Sequence, residues 1–456
     1  MAAHFQIRKR RSHRRPPGKP RASDTGGGFL DAWQELVPDW MPTPLARRGR
    51  KPRVSLNQIL QGLTFHVAQG AGTLAEHFWE LFEEPLTDSS WGDRRRRLPW
   101  AVFADLMRRA LRPIATRRRT PEAFWRGWRV LALDGTQYSL MNTPQVRATT
   151  TKAVARRGRA AFAKLSVATL LEVGVHNPLA TGIGRDGESE LALARRLMAQ
   201  LPTRALLLAD RLYGVPSVMA DVGATAQRVG SHFLFRVPRH INVRLVATLR
   251  DGSRRVRLNV PEKGRPWRVR ATIELREIRA RVGRQGYRSH EMRLCTSLLD
   301  AHTAPAAELV QLYASRWEHE LYFRNAKRIV RQTAVLQSHT VDTAAQEVAA
   351  IILVTAMLAR ERVRAANGRV PVLRIKFGVV LAIVRSLWFY LGPLEDLLTD
   401  QQKRQVVARG QALMRRSLTG PRRSRTNPRA VRQPVTKWPR LMQTHSVEGP
   451  LQIKIV

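Results

Sequence analysis

Residues 130–136 read VLALDGT and residues 205–214 read ALLLADRLYG: two short apolar runs, each followed at once by an aspartate, Asp134 and Asp210. Continuous apolar runs of this length suit strands buried on both faces. A carboxylate directly after such a strand stands at the edge of the sheet, where ligands bind in open α/β folds. Each residue also has a purely local reading. Asp134-Gly135 is a turn signal, and Asp210 with Arg211 suits a helix cap. Working outward, Lys164–Val175 and Leu179–Ile183 supply two more strand candidates, and Glu188–Leu201 has the pattern of an amphipathic helix.

Three strands, a helix and a strand are the core order of a ribonuclease-H-like α/β fold, which predicts a catalytic core over residues 125–365. Within it, His232–Val237, Arg254–Val260, Trp267–Ile278 and Glu291–Thr296 read as strands between turn residues, a β-rich insertion at about 232–298. Before the core, Phe29–Ile114 is helical in pattern, with loops at Pro42–Pro52 and Pro85–Gly92 and Arg94–Arg97 just ahead of a helix. Residues 29–124 are therefore expected to be a helical N-terminal domain, and the charge and resemblance described below make DNA its expected partner. Residues 1–28 form a basic tail containing Pro and Gly, expected to be disordered when free. Residues 366–456 are expected to be a helical C-terminal region with a basic tail carrying Arg415, Arg416 and Arg422–Arg425.

The chain has 456 residues, enough for about three structural units. Its 79 Lys and Arg against 35 Asp and Glu leave a formal charge of +44. Such a surplus repels itself and points to a polyanionic partner, because each phosphate neutralised releases counterions. Most of the surplus is Arg, whose planar fork suits phosphate oxygens. Coding bias toward Arg accounts for part of this, but not for the shortage of acids. Nucleic acid is favoured over an anionic membrane. Cys295 is the only cysteine, which excludes an intrachain disulfide and fits a reducing cytoplasm. The basic stretch Arg8–Arg15 is not followed by an apolar segment, so no secretory leader is expected. Val348–Ala359 is shorter than a membrane span, Phe377–Leu391 contains Arg385, and both read as buried helices. Gly182–Gly187 lacks the Lys-Ser/Thr of a phosphate-binding loop, so no nucleotide cofactor is expected. His232, His240 and His319 have no metal-binding helical spacing and read as structural or surface residues.

Leu309–Val330 has no Pro or Gly and is rich in helix formers. On a regular helix, Tyr313, Arg316, Glu320 and Lys327 fall within an arc of about 60°. Apolar residues flank that stripe on both sides. A carboxylate in line with two cations and a phenol suits a phosphodiester: Glu320 holds a metal, the others hold phosphate oxygens. The local alternative is an Arg316–Glu320 pair on a surface helix. Two strand-end aspartates tip the balance, since two or three convergent carboxylates are what two Mg²⁺ ions require.

Tyr313, Arg316, Glu320 and Lys327 are spaced Tyr, two residues, Arg, three residues, Glu, six residues, Lys. This resembles the YREK signature of bacterial insertion-sequence transposases of family four, a branch of the DDE transposases. The segments LALDGT and LLLADRLYG resemble that family's two aspartate motifs, and DRRRRLPWAVF at 93–103 resembles its helical N-terminal domain. The likeness extends over about residues 29–365. Glu318 departs from it, standing where an aliphatic residue is usual, and so does His319. The resemblance implies Asp134, Asp210 and Glu320 as catalytic metal ligands for two Mg²⁺, with Mn²⁺ able to substitute. It implies contacts to DNA from Tyr313, Arg316, Lys327 and Arg211, with Trp317 either stacking on a flipped base or serving as a core aromatic. It further implies terminal inverted repeats and target DNA as substrates, cut-and-paste transposition through a hairpin, a homodimer at synapsis, and a nucleoid-associated protein in the bacterial cytoplasm. Two other expectations stand beside it: a ribonuclease-H-fold nuclease without strand transfer, and an inactive DNA-binding relic.

Overall fold

A computed structural model describes residues 27–42, 53–152, 154–155, 158–283, 289–420 and 452–455. The tail before residue 27, most of the Pro42–Pro52 loop and Arg422–Arg425 lie outside the described residues. Trp128–Ser139 (β1) is the spine of a mixed α/β structure. Lys164–Glu172 (β2) pairs antiparallel to one side of it and carries Asn177–Ile183 (β3), also antiparallel. On the other side Ala205–Ala209 (β4) pairs parallel to β1, and His232–Arg236 (β5) parallel to β4. Parallel neighbours need long crossovers. Glu190–Leu197 lies in the passage from β3 to β4, and Pro216–Arg228 in that from β4 to β5.

The sheet continues beyond β5 through Arg244–Thr248 (β6), Arg254–Glu262 (β7), Arg265–Gly283 (β8) and His290–Thr296 (β9). The order is β3-β2-β1-β4-β5-β9-β8-β7-β6, with Gln452–Ile455 (β10) on β8 and Phe124–Trp125 beside β1. The strands expected between 232 and 298 are present, and they extend the core sheet. β6 was not foreseen, because none of its residues is buried and no apolar alternation marks it. β10 was not foreseen either; it lies in what read as a basic tail.

β1 sends Leu131 and Leu133 into one apolar layer and Val130 and Ala132 into another. The first layer is closed by the two crossover helices, the second by Ala306–Tyr313. A third cluster joins the N-terminal helices to Val341–Ala366, Phe377–Tyr390 and one end of the sheet, through Phe29, Phe65, Phe103, Tyr138, Leu165, Ile351 and Trp388. Val341–Ala366 is long and apolar enough to cross a bilayer, but its most apolar window is 89% buried inside the fold. One N-terminal expectation fails. Asp88–Arg96 is a helix starting inside the expected Pro85–Gly92 loop, because Thr87 caps it by accepting the Ser90 amide. Arg94–Arg96 fall in its last turn, where cations offset the helix dipole.

Glu172, at the end of β2, is fully buried. It accepts hydrogen bonds from the Ile114 and Ala115 amides and from Asn177 Nδ2, and it is ion-paired with Arg129. It thereby ties the N-terminal segment to the sheet. Removing one partner of such a buried pair strands the other, so Glu172→Ala should cost about 3–5 kcal/mol. Urea unfolding would read this as a lowered midpoint, and an unchanged midpoint would refute the tie.

Candidate active site

The parallel register of β1 and β4 ends at Leu133 opposite Ala209. Asp134 and Asp210 are the residues that follow this last pair, so the register sets them abreast. Neither local alternative holds. Asp134-Gly135 is not a turn: β1 runs on to Ser139, and Asp134 pairs with Thr169 in mid-strand. Asp210 does not cap a helix. Its Oδ1 accepts the Leu212 amide at 2.8 Å and closes a tight turn, and the next helix starts at Pro216. Asp134 Oδ1 accepts the Gly135 amide at 2.9 Å.

The stretch 309–330 is not one regular helix. Ala306–Tyr313 tightens to a 3₁₀ turn at Ala314–Arg316, resumes as Trp317–Asn325 and widens to a π-helix at Ala326–Val330. These changes of pitch redistribute the expected stripe. Arg316 bridges two carboxylates, with Nη1 3.1 Å from Asp134 Oδ2 and Nη2 2.9 Å from Glu320 Oε1. Glu320 is thus joined to Asp134 through a guanidinium. Lys327 Nζ donates to Thr136 Oγ1 at 2.5 Å and to the Gln137 carbonyl at 2.7 Å, lying over the Tyr138 ring. Burial, with Arg331 and Lys164 nearby, lowers its amine to about 8. Tyr313 departs from the expectation. It is buried, and its hydroxyl donates to the Ala209 carbonyl at 3.2 Å, so it braces the strand end before Asp210 and presents no free phenol. Trp317 is half-buried and Arg211 is exposed.

The two unusual residues beside Glu320 have structural explanations. His319 is fully buried beside the Tyr322 and Phe323 rings, and burial together with Arg316 holds it well below the usual imidazole range. Glu318 meets His176 Nε2 at 2.8 Å. One carboxylate of the site escaped sequence reading. Glu190 opens the helix after β3, and its Oε1 accepts the Tyr213 hydroxyl at 2.7 Å. A Cβ on Gly135 would fall 2.1 Å from Glu190 Cδ, so the glycine after Asp134 lets the Glu190 carboxylate lie against the strand. The available signal was Ser189, a helix cap that sets Glu190 at the first helical position.

Burial pushes Asp134 up to about 7 against the pull of Arg316, with the Asp210 and Glu190 charges adding to the rise. Carboxylates crowded in this way suit a hard divalent cation, which takes oxygen ligands and relieves their repulsion. Among the described residues, no three His, Cys, Asp or Glu groups already form a cation site. In this arrangement the Arg316 guanidinium is the cation that Asp134 and Glu320 share.

Beside Asp210 a cleft of about 1190 Å³ opens over β5, β8 and β9. Half of its lining residues are arginines, including Arg211, Arg236, Arg254, Arg279 and Arg293. Buried Glu277 organises three of them, accepting from Arg293 at 2.5 Å and lying 3.2 Å from Arg279 and 3.5 Å from Arg254. A concave surface of fixed guanidinium groups concentrates positive potential and suits a phosphodiester backbone.

Residues 125–357 match the family of the transposase DDE domain. The chain is also 24% identical over 328 residues to the transposase InsG for insertion sequence element IS4 of Escherichia coli strain K12, covering 70% of this chain and 71% of that protein.

The raised Asp134 pKa has a consequence for stability. The folded protein holds this proton more tightly than the unfolded chain, whose value is near 3.8. The contribution of Asp134 to stability is therefore fullest below about pH 4 and is lost as pH rises through about 7. In metal-free buffer, Asp134→Asn should gain melting temperature relative to wild type between about pH 5 and about pH 8. A difference independent of pH would contradict the burial and repulsion assigned to Asp134.

Proposed function

Because this chain belongs to the DDE family of insertion-sequence transposases, we propose that it cuts DNA at the terminal inverted repeats of its element and joins the freed ends to target DNA. The observation carrying this reading is the register that sets Asp134 beside Asp210, with Glu320 linked to Asp134 through Arg316. The strand order β3-β2-β1-β4-β5, in which β2 alone runs the other way, supports a ribonuclease-H-like core over residues 125–365. In this reading 232–298 is an insertion, residues 29–124 bind the element ends, residues 366–456 form a basic C-terminal region with helices at Phe377–Tyr390 and Asp400–Arg416, and two copies act together at synapsis. No nucleotide cofactor is needed, and the protein works at the bacterial nucleoid.

Asp134, Asp210 and Glu320 would hold two Mg²⁺, or Mn²⁺ in its place. When bound, such ions activate the attacking oxygen and stabilise the leaving one. Arg316 and Lys327 supply positive charge to phosphates near the scissile bond, and Arg211 does so at the mouth of the cleft. The arginine cleft carries the backbone of the bound strand. Tyr313 holds the strand end before Asp210 in place. Trp317 stacks on a base flipped out during hairpin formation.

The decisive assay uses DNA carrying the ends that flank the protein's own gene, with and without Mg²⁺. Wild type should nick at those ends only with metal, and Asp210→Asn should bind but not nick. Trp317→Ala should slow hairpin closure more than first-strand nicking. Cutting without regard to end sequence would instead favour a nuclease, and binding without cutting a relic. For the cleft, Arg279→Ala should weaken binding uniformly across DNA sequences and reduce the salt slope by about one. A loss confined to one sequence would contradict a backbone contact.

A further inference from the structure

Glu190 lies outside the three carboxylates assigned to the metals, yet it touches the segments that carry two of them. One oxygen accepts the Tyr213 hydroxyl at 2.7 Å, and Tyr213 is a fully buried residue of the turn that Asp210 opens. The carboxylate also packs on Gly135, so closely that a Cβ there would lie 2.3 Å from Oε2. The Ser189 side chain accepts the Ala192 amide and fixes the first turn of the helix that presents Glu190. Glu190 therefore reaches from a third element to the residue after Asp134 and to the turn after Asp210.

We propose that Glu190 is a positioning residue that ties the backbone behind Asp134 to the turn behind Asp210 and so sets the spacing of the two aspartates. The tie operates through the Tyr213 hydrogen bond and the packing on Gly135. Through these two contacts Glu190 acts on its neighbours and not as a ligand. This role rests on the transposase reading and deepens it.

The test compares full-length wild type, Glu190→Ala, Glu190→Gln, Tyr213→Phe and the Glu190→Ala/Tyr213→Phe pair, with Asp134→Asn as the inactive control. Amide hydrogen exchange tests the tie directly: Leu212 and Tyr213 should exchange faster in Glu190→Ala at unchanged melting temperature. In Mg²⁺-dependent nicking of the element ends, each single loss should slow the rate about tenfold without changing DNA affinity. The double variant should be no slower than Glu190→Ala, because Tyr213→Phe removes a contact that Glu190→Ala has already removed. Glu190→Gln keeps an acceptor for Tyr213 and should return to within about threefold of wild type. Unchanged exchange in Glu190→Ala, additive effects, or a wild-type rate for Tyr213→Phe would overturn the proposal. So would Glu190→Gln behaving like Glu190→Ala with weakened Mn²⁺ binding by electron paramagnetic resonance, which would make Glu190 a ligand. If wild type and Asp134→Asn alike fail to nick, the transposase reading falls, and the exchange result still decides the tie.

Discussion

Asp134 and Asp210 stand side by side because β1 and β4 are parallel and in register up to Leu133 and Ala209. Burial makes the Asp134 charge harder to sustain, and the nearby Asp210 adds repulsion. Much of the surrounding structure answers this constraint. The Gly135 and Leu212 amides take one oxygen of each aspartate, and Arg316 sets a cation against Asp134. Tyr313 and Tyr213 brace the backbone on either side of Asp210. A site so arranged is unfavourable without added positive charge. That disposes it to bind cations and, next to them, phosphates.

The departures of the 306–330 segment from regular helix follow from the same geometry. A straight α-helix keeps a fixed 100° advance per residue. This segment must bury Tyr313 against β4, aim Arg316 at Asp134 and bring Lys327 to the far part of β1. The 3₁₀ turn at 314–316 and the π-turn at 326–330 supply the changes of pitch, and π-turns of this kind recur at functional sites.

The positive charge has a structural answer as well. Arginines on adjacent strands would repel, but Glu277, a buried residue of β8, pairs with Arg254 of β7, Arg279 of β8 and Arg293 of β9, all of which line the cleft. By continuing the core sheet past β5, the strands after residue 232 turn a diffuse excess of charge into a shaped surface beside Asp210.

Local pattern determined a good deal. The apolar runs before Asp134 and Asp210, the strands read at 254–260 and 291–296, the buried helix around Val348–Ala359 and the spacing of Arg316, Glu320 and Lys327 were all legible in the sequence. Burial on both faces and helical periodicity are written in neighbouring residues. Other features were decided only by tertiary structure. Asp134 lies within a strand because β2, some 30 residues away, supplies its partner (Thr169 against Asp134). Glu190 reaches Gly135 and Tyr213 across the fold, and Tyr313 gives its hydroxyl to Ala209, 104 residues distant. The sharing of one core by the N-terminal helices and Val341–Ala366 is of the same kind. Which polar groups meet, and how far burial shifts them, depends on contacts and desolvation created only when distant segments pack. Residue order fixes a segment's preference, and the folded chain decides what that segment is set against.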